Sequence, residues 1–255
     1  MKVLVTGCAG FIGSNIVERL LSDGHFVVGI DNFETGHKEN IGEFLENENF
    51  KFIEGDIRNL DFLDTVIKEY SIKQISHQAA RGSVPKSVED PIKTNSINVI
   101  GTLNVLFSAK QNNVEKVVVA ISSSIYGDTP ELPKKESMHY NPKSPYAITK
   151  VAKDLYGKNF FELYGLKTIG LRYFNVYGYK QDPSGAYAAV IPKFILSTLR
   201  NNPMEIYGDG NQTRDFTFVK DVVDSNILAL EKNVGGISVN IAYGSFVTIN
   251  QLAKK

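Results

Sequence analysis

A doubly wound α/β fold, in which helices cover both faces of a mostly parallel sheet, is predicted for this chain of 255 residues. Short apolar runs alternate along the chain with stretches of helical periodicity, which is the order expected of strand–helix–strand units. Runs such as 117–121 (VVVAI) are apolar without alternation, as in parallel strands that are buried on both faces. A glycine-rich turn after the first run then predicts a ligand site at the carboxyl ends of the strands.

The glycine turn occupies residues 6–13, with the sequence TGCAGFIG, between the apolar run 3–5 and a helix that begins near Ile16. Free N–H groups at a helix start bind anions, and glycine lets a diphosphate approach without a Cβ in the way. The next apolar run ends at Asp31, whose carboxylate suits an adenosine ribose and repels a 2′-phosphate. The pattern predicts a dinucleotide site that prefers NAD to NADP. A tight turn followed by an ordinary strand-end carboxylate is the alternative.

The remaining elements are predicted from the same two periodicities. Residues 32–48 form a polar segment, interpreted as a loop with a helix that could fold over the adenosine end of a cofactor. The predicted strands are 51–54, 74–77, 117–121 and 239–242, and the predicted helices are 60–70, 91–112, 144–163, 193–200 and one that begins after Thr248.

The composition excludes several classes of function. The 28 basic and 28 acidic residues balance, so no general attraction to nucleic acid or to an anionic membrane is expected. The apolar runs are far shorter than a membrane span and no signal-peptide pattern is present, which predicts a cytoplasmic protein. The single cysteine, Cys8, cannot form an internal disulfide, and the four histidines are scattered without ligand spacing. No metal site is therefore predicted.

A tyrosine, a lysine and a serine run form the predicted reactive group. Tyr146 and Lys150 are four residues apart, so both side chains lie on one face of a helix. A free tyrosine has a pKa of about 10, and we expect a neighbouring ammonium and a positive nicotinamide ring to bring the phenolate into working range. The fifth strand ends in Ser122, Ser123 and Ser124, and Ser122 could hydrogen-bond the same substrate hydroxyl. Taken singly, these features also fit an exposed Tyr–Lys pair and a serine N-cap.

Together with Gly55-Asp56-Ile57 and Leu171-Arg172-Tyr173-Phe174-Asn175, these motifs resemble the extended short-chain dehydrogenase/reductase family. Within it they are most similar to nucleotide-sugar 4-epimerases of the UDP-N-acetylglucosamine branch. The resemblance covers essentially the whole chain. It implies a Rossmann domain at 1–175, to which a late strand at 237–242 returns, and a smaller, discontinuous substrate lobe at 176–236 and 243–255. Chains of this family usually run longer, so the lobe is expected to lack a C-terminal portion.

The resemblance also implies how NAD is held and used. The implied cofactor-binding residues are Gly7, Gly10, Phe11, Ile12, Gly13, Asp31, Asn32, Asp56, Ile57, Gln78, Ala79, Ala80, Asn98, Tyr146, Lys150 and Tyr173. Tyr146 is expected to take the proton of the sugar C4 hydroxyl while NAD takes the C4 hydride. The 4-keto sugar then turns over, and the hydride returns to its other face.

The implied substrate contacts come from both halves of the chain. They are Ser83, Ser122, Tyr146, Asn175, Ala189, Val190, Tyr207 and Arg214. The segment 182–192 resembles the region that grips UDP and the N-acetyl sugar, and 204–210 resembles the uridine-binding strand and turn. A guanidinium fork suits paired phosphate oxygens, so Arg214 is placed on the diphosphate. A surface salt bridge with Asp215 is the alternative for Arg214.

Ser124 decides between the chemistries of this family. The dehydratases and decarboxylases of this family carry a glutamate at this position. The absence of that glutamate favours 4-epimerisation of UDP-N-acetylglucosamine, UDP-glucose or both to the galacto epimer. A nucleotide-sugar decarboxylase or dehydratase is the first alternative, and a non-catalytic NAD-sensing protein is the second. In family members the two long helices, here 91–112 and 144–163, pair with a second subunit, so a homodimer is expected. The apolar positions of these helices could also all face the chain's own sheet, and they are Ile97, Ile100, Leu103, Leu106, Val151, Leu155 and Phe160.

Overall fold

The computed structural model of the chain describes residues 1–183 and 189–255. The first half contains β1 (Lys2–Thr6), α1 (Phe11–Ser22), β2 (Phe26–Asp31), β3 (Phe50–Glu54), α2 (Leu60–Glu69), β4 (Gln74–His77), α3 (Val84–Glu89), α4 (Pro91–Asn95), α5 (Gly101–Gln111) and β5 (Lys116–Ser122). The second half contains α6 (Pro145–Tyr164), β6 (Lys167–Tyr173), β7 (Val176–Tyr177), α7 (Val190–Leu199), β8 (Thr213–Arg214), β9 (Thr217–Phe218), α8 (Val219–Glu231), β10 (Ile237–Ile241), β11 (Val247–Thr248) and α9 (Ile249–Ala253).

Seven of these strands form one parallel sheet in the order β10–β6–β5–β4–β1–β2–β3. The apolar side chains of α1 and α8 pack into the core on one face, and those of α2, α5 and α6 into the core on the other. The chain reverses direction across the sheet between β1 and β4, which opens a crevice at their carboxyl ends. The predicted doubly wound α/β fold is confirmed, including the return of the late strand, which pairs with β6.

Three local predictions differ from the structure. The helix expected within 32–48 is replaced by two short 3₁₀ turns, Lys38–Asn40 and Gly42–Phe44, and Gly36 and Gly42 weaken any longer helix there. The long helix expected at 91–112 is α4 and α5, joined by one π-helical turn at Ser96–Ile100. The short helix α3 was not predicted, although Ser83 caps it.

The boundary between the predicted domains at residue 175 stays a prediction. Helix α8 lies within the predicted substrate lobe, yet it packs beside α1 and contributes Val222 and Leu230 to the core on the sheet. The small pairs β7–β9 and β8–β11, with α7 and α9, lie beyond that sheet. Within residues 1–183 and 189–255, no helix has both the length and the apolar character needed to cross a membrane.

Candidate active site

A large cavity opens at the carboxyl ends of the parallel strands, with a volume of about 1740 Å³. Its walls come from the glycine turn after β1, the ends of β2, β4, β5 and β6, and the start of α6. This is where open α/β sheets bind ligands. The predicted site residues on its wall are Gly7, Gly10, Phe11, Ile12, Gly13, Asp31, Asn32, Asp56, Ile57, Gln78, Ala79, Ala80, Ser83, Ser122, Ser123, Ser124, Tyr146, Lys150, Tyr173, Asn175 and Arg214.

Other predicted site residues are absent from the wall of this cavity. Ala189 precedes α7 and Val190 is its first residue, while 184–188 of the predicted substrate segment lie outside the described residues. Tyr207 is 67% exposed, and its hydroxyl donates to Glu205 Oε2 over 3.1 Å. The strand implied within 204–210 is wrong, because this stretch pairs with no other strand in the part of the chain that the structure describes. Substrate contact by these residues stays a prediction.

The glycine turn forms a cradle that side chains would fill. Gly7 has a φ of +71°, and a Cβ there would lie 2.7 Å from the backbone nitrogen of Ala79. A Cβ on Gly13 would lie 2.0 Å from the carbonyl oxygen of Gly7. Helix α1 starts after Gly10 without a side-chain cap, so its first N–H groups remain available to an anion at the cavity. The turn therefore fits the diphosphate of NAD.

Two carboxylates at the ends of β2 and β3 suit the adenosine half of a dinucleotide. Asp31 accepts hydrogen bonds from the backbone N–H groups of Ala9 (2.9 Å) and Phe33 (2.8 Å), and its burial raises the pKa of the carboxyl group. Each Asp31 oxygen keeps a lone pair for a ribose hydroxyl. The Arg58 guanidinium lowers the pKa of Asp56 to about 2, so Asp56 stays charged, and Asn32 Nδ2 donates to its Oδ2 over 2.9 Å.

Tyr146 and Lys150 meet at the cavity on one face of α6, as predicted. The Lys150 ammonium donates to the Ala120 carbonyl over 2.9 Å and lies 5.5 Å from the centre of the Tyr146 ring. Burial lowers the pKa of Lys150 to about 8. Burial raises the pKa of Tyr146 in the protein without NAD, and the nearby Ser122 hydroxyl opposes this rise. The expected lowering of this pKa by Lys150 and a nicotinamide ring together stays a prediction.

The serine run places three hydroxyls at the end of β5. Ser122 ends the strand, and its Oγ accepts the N–H of Ser124 over 3.2 Å at the start of a 3₁₀ turn, Ser123–Tyr126. The Ser124 Oγ is buried and has no hydrogen-bond partner among the described residues. A buried hydroxyl without a partner is unfavourable, so this group is available to a ligand in the cavity.

A buried amide network fixes the floor of the cavity. The Tyr173 hydroxyl donates to Gln78 Oε1 (3.2 Å) and accepts from Asn226 Nδ2 (2.8 Å), while Gln78 Nε2 donates to Asn226 Oδ1 (3.0 Å). Burial raises the pKa of Tyr173 to about 12, so this phenol stays protonated. The network orients Gln78 and Tyr173, which are both predicted cofactor contacts, and Asn226 on α8 joins them.

Asn98 lies in the π-helical turn and is fully buried behind the cavity wall. Its Oδ1 accepts the Arg81 N–H over 2.8 Å, and its Nδ2 donates to Thr149 Oγ1 over 3.0 Å. π-Helical turns often occur at functional sites. In this structure Asn98 links the loop after β4 to the helix that holds Tyr146 and Lys150, and its direct contact with a cofactor stays a prediction.

The substrate side of the cavity is formed by Asn175, Arg214 and their neighbours. Asn175 has a φ of +20°, and its Nδ2 donates to the Asp215 carbonyl over 2.8 Å. The Asp215 carboxylate accepts N–H groups of Tyr243 and Gly244, at 2.9 and 2.8 Å, and the structure shows no salt bridge between it and Arg214. The Arg214 guanidinium therefore faces the cavity with free donors beyond its bond to the Thr213 carbonyl.

The cavity also contains residues that the sequence analysis did not select, among them Glu34, Arg81, Asn240 and Phe246. Asn240 lies near the carboxyl end of β10, and the late strand was predicted, so its position at this edge of the sheet could have been inferred. Phe246 follows that strand without a recognisable motif. No local pattern distinguishes it.

Within the described residues, no group of three His, Cys, Asp or Glu side chains is placed to hold a metal ion. Both ring nitrogens of the buried His77 are engaged, with Thr6 Oγ1 at 2.7 Å and Thr102 Oγ1 at 2.9 Å. Burial and the nearby lysines hold the pKa of His77 well below its usual value, so it is neutral.

Comparison with known proteins supports the NAD site that this geometry indicates. The family model of NAD-dependent epimerases and dehydratases matches residues 3–242. A UDP-glucose 4-epimerase of Mycolicibacterium smegmatis is 41% identical, over 99% of this chain and 80% of that protein. A structure of UDP-N-acetylglucosamine 4-epimerase from Methanobrevibacter ruminantium, in complex with UDP-N-acetylmuramic acid, is 43% identical with a TM-score of 0.93, over 99% of this chain and 80% of that chain.

A dTDP-glucose 4,6-dehydratase from Streptomyces venezuelae, with NAD bound, is 30% identical with a TM-score of 0.92, over 100% of this chain and 79% of that chain. Epimerases and a dehydratase thus share this fold. The match of the family model, the glycine cradle and the Tyr146–Lys150 pair lead to one conclusion: the chain belongs to the NAD-dependent epimerase/dehydratase family, and NAD is its cofactor.

Proposed function

We propose that this protein catalyses the 4-epimerisation of a UDP-hexose, with UDP-N-acetylglucosamine and UDP-glucose as candidate substrates. The observation that supports this most strongly is the meeting of Tyr146, Lys150 and Ser122 at one cavity beside the glycine cradle. The similarity to two UDP-sugar 4-epimerases at 41% and 43% identity supports the same class of substrate.

NAD, when bound, accepts a hydride from the sugar C4 and returns it. Residues of the chain bind the cofactor and move the proton. The N–H groups at the start of α1 hold the diphosphate, Asp31 accepts from the adenosine ribose, and Lys150 orients the nicotinamide ribose. With these contacts, bound NAD would lie along the cavity, and its nicotinamide would be held near Tyr146.

Tyr146 moves the proton of the C4 hydroxyl. Its pKa is raised by burial, so the phenol releases its proton only when positive charge lies beside it, and Lys150 at 5.5 Å from the ring supplies part of that charge. The Ser122 hydroxyl lies near the phenol and lowers its pKa, so both groups can hydrogen-bond the same substrate hydroxyl. The same oxygen returns the proton after the sugar has turned over, so no net acid or base is consumed.

Ser124 favours epimerisation over elimination. A serine hydroxyl is a poor general acid or base, whereas removal of water from the sugar requires a group that transfers protons near neutral pH. The buried Ser124 Oγ lacks a partner in the described structure and offers a hydrogen bond to the sugar. The dehydratase relative at 30% identity keeps a dehydratase or decarboxylase as the second candidate.

Incubation of the NAD-bound protein with UDP-glucose and with UDP-N-acetylglucosamine, in separate reactions, tests the proposal. We expect the galacto epimer of one or both, unchanged in mass, with NAD retained by the protein. Loss of carbon dioxide from UDP-glucuronate, or of water from a deoxythymidine-linked glucose, would favour the second candidate. A protein that binds NAD but converts none of these compounds would instead support an NAD-sensing role.

We also propose that the protein is a homodimer that pairs through α4, α5 and α6. These helices expose apolar side chains on their outer surface, including Ile92 (83% exposed), Phe107, Ile148 and Leu155 (49%). Of the apolar positions predicted on these helices, Ile97, Leu106 and Phe160 are buried in the chain's own core and take no part in this surface. A cytoplasmic location stays a prediction.

A further inference from the structure

A long loop, residues 127–143, forms one wall of the cavity next to the reactive group. It begins directly after the turn Ser123–Tyr126 and ends before α6, which starts at Pro145. The loop residues on the cavity wall are Gly127, Asp128, Leu132, Pro133, Lys134 and Lys143. Loops of this length without a helix or strand are commonly functional. The position of loop 127–143 therefore affects the fit of any ligand that binds beside Tyr146.

The outer part of this loop is held on the free edge of the sheet. Strand β10 is the edge strand, and the backbone N–H of Asn240 donates to Glu136 Oε1 over 2.8 Å. The Asn240 Nδ2 donates to the Lys134 carbonyl over 3.0 Å. A carboxylate on a backbone N–H is a charge-assisted hydrogen bond, roughly twice as strong as a neutral one. Glu136 thus joins an exposed loop to a rigid strand that also lines the cavity.

The rigid side of this contact is built around a buried ion pair. Arg172 Nη2 lies 2.8 Å from Asp154 Oδ2, with both side chains nearly inaccessible. Arg172 Nη1 donates to the Tyr126 hydroxyl (2.7 Å) and to the Glu136 carbonyl (3.2 Å), and the Tyr126 hydroxyl donates to Asn240 Oδ1 (2.6 Å). Asp154 lies one turn after Lys150 on α6. These bonds therefore hold the loop in a fixed position relative to α6, the helix that carries Tyr146 and Lys150.

We propose that Glu136 is a positioning residue for the substrate: its carboxylate fixes loop 127–143 as one wall of the substrate half of the cavity. This inference rests on the proposed function. Glu136 is exposed and absent from the cavity wall, so it acts on the substrate through the loop and not by contact. The NAD half of the site, at the glycine turn, shares no contact with Glu136.

The test compares three variants of the NAD-bound protein. Glu136→Ala is expected to raise KM for the UDP-sugar about tenfold, the equivalent of about 1.4 kcal/mol, with kcat within about twofold and an unchanged NAD content. Glu136→Gln keeps an oxygen acceptor for the Asn240 N–H and should recover most of the affinity. Glu131→Ala is the matched control, because Glu131 is exposed in the same loop and its carboxylate makes no contact in the described structure.

Chymotryptic cleavage after Tyr140 reports the loop without any turnover, because the substitutions at 136 and 131 leave the residues beside that bond unchanged. We expect about tenfold faster cleavage for Glu136→Ala than for the wild type, and the wild-type rate for the other two variants. Equal KM values for Glu136→Ala and Glu131→Ala would overturn the proposal, even if cleavage is faster.

If the wild type turns over no UDP-sugar, the proposed function fails and calorimetric titration with UDP decides the role of Glu136. Tenfold weaker UDP binding by Glu136→Ala would then support the positioning role. Unchanged binding, or no binding of UDP by the wild type, would overturn it.

Discussion

Replacement of Gly13 by alanine should remove tight NAD binding and leave the fold intact. A Cβ at this position would lie 2.0 Å from the Gly7 carbonyl oxygen, and real Cβ contacts are essentially never below 3.0 Å, so the turn must move by at least about 1.0 Å. Such a shift misplaces the cradle for the diphosphate. A misplacement of 1 Å can cost an enzyme about 100-fold in rate, and we expect a loss of NAD affinity of that order. Overpacking should lower the free energy of unfolding by about 1–3 kcal/mol.

Gly24→Ala is the matched control for this change. Gly24 has a φ of +75° but open space around its Cβ position, so alanine there costs about 1–2 kcal/mol of backbone strain and touches nothing near the cavity. Both variants should therefore lose similar stability in denaturant titrations. Only Gly13→Ala should lose NAD, measured by absorbance after acid release from the purified protein. Wild-type NAD content in Gly13→Ala, or an equal loss in Gly24→Ala, would refute the reasoning.

Three further outcomes are expected. The folded pKa of Lys150 is about 8 against 10.5 unfolded, so wild-type stability should rise between pH 8 and 10.5 in denaturant unfolding across pH. Lys150→Met should abolish activity yet gain about 1–2 kcal/mol at pH 7, because relief of the buried charge outweighs the lost bond to the Ala120 carbonyl. The pKa of Asp56 is lowered to about 2, so Asp56→Asn should cost about 1 kcal/mol at pH 7, and this difference should shrink as the pH falls from 4 to 2 in the same assay. Sedimentation should show a dimer that the Ile92→Glu, Leu155→Glu double variant converts to monomer, while Leu199→Glu, 76% exposed on α7, has no effect.

The parts of the site that depend on local sequence patterns could be predicted from the sequence. The glycine turn and Asp31 follow from strand and helix periodicity, since the carboxyl ends of parallel strands meet at one edge. Tyr146 and Lys150 share a helix face through their four-residue spacing alone. The structure places all of these at one cavity.

Other features depend on contacts between distant segments and could not be predicted in this way. Asn98 holds Arg81 and Thr149 together only because a π-helical turn directs its side chain inward. The bond from the Asn240 N–H to Glu136 joins residues 104 positions apart. The direction of the Tyr146 pKa shift depends on how deeply α6 buries the phenol, which residue spacing does not reveal.

The most direct test of the account is the rate of UDP-sugar epimerisation by NAD-loaded Tyr146→Phe. This change removes one oxygen and keeps the ring, so NAD content and affinity for the UDP-sugar should stay near those of the wild type. Loss of a positioned general base costs about 10²- to 10⁴-fold, and we predict a fall in kcat within that range. Equilibration of the two epimers at the wild-type rate would contradict the central claim that the Tyr146 oxygen moves the proton.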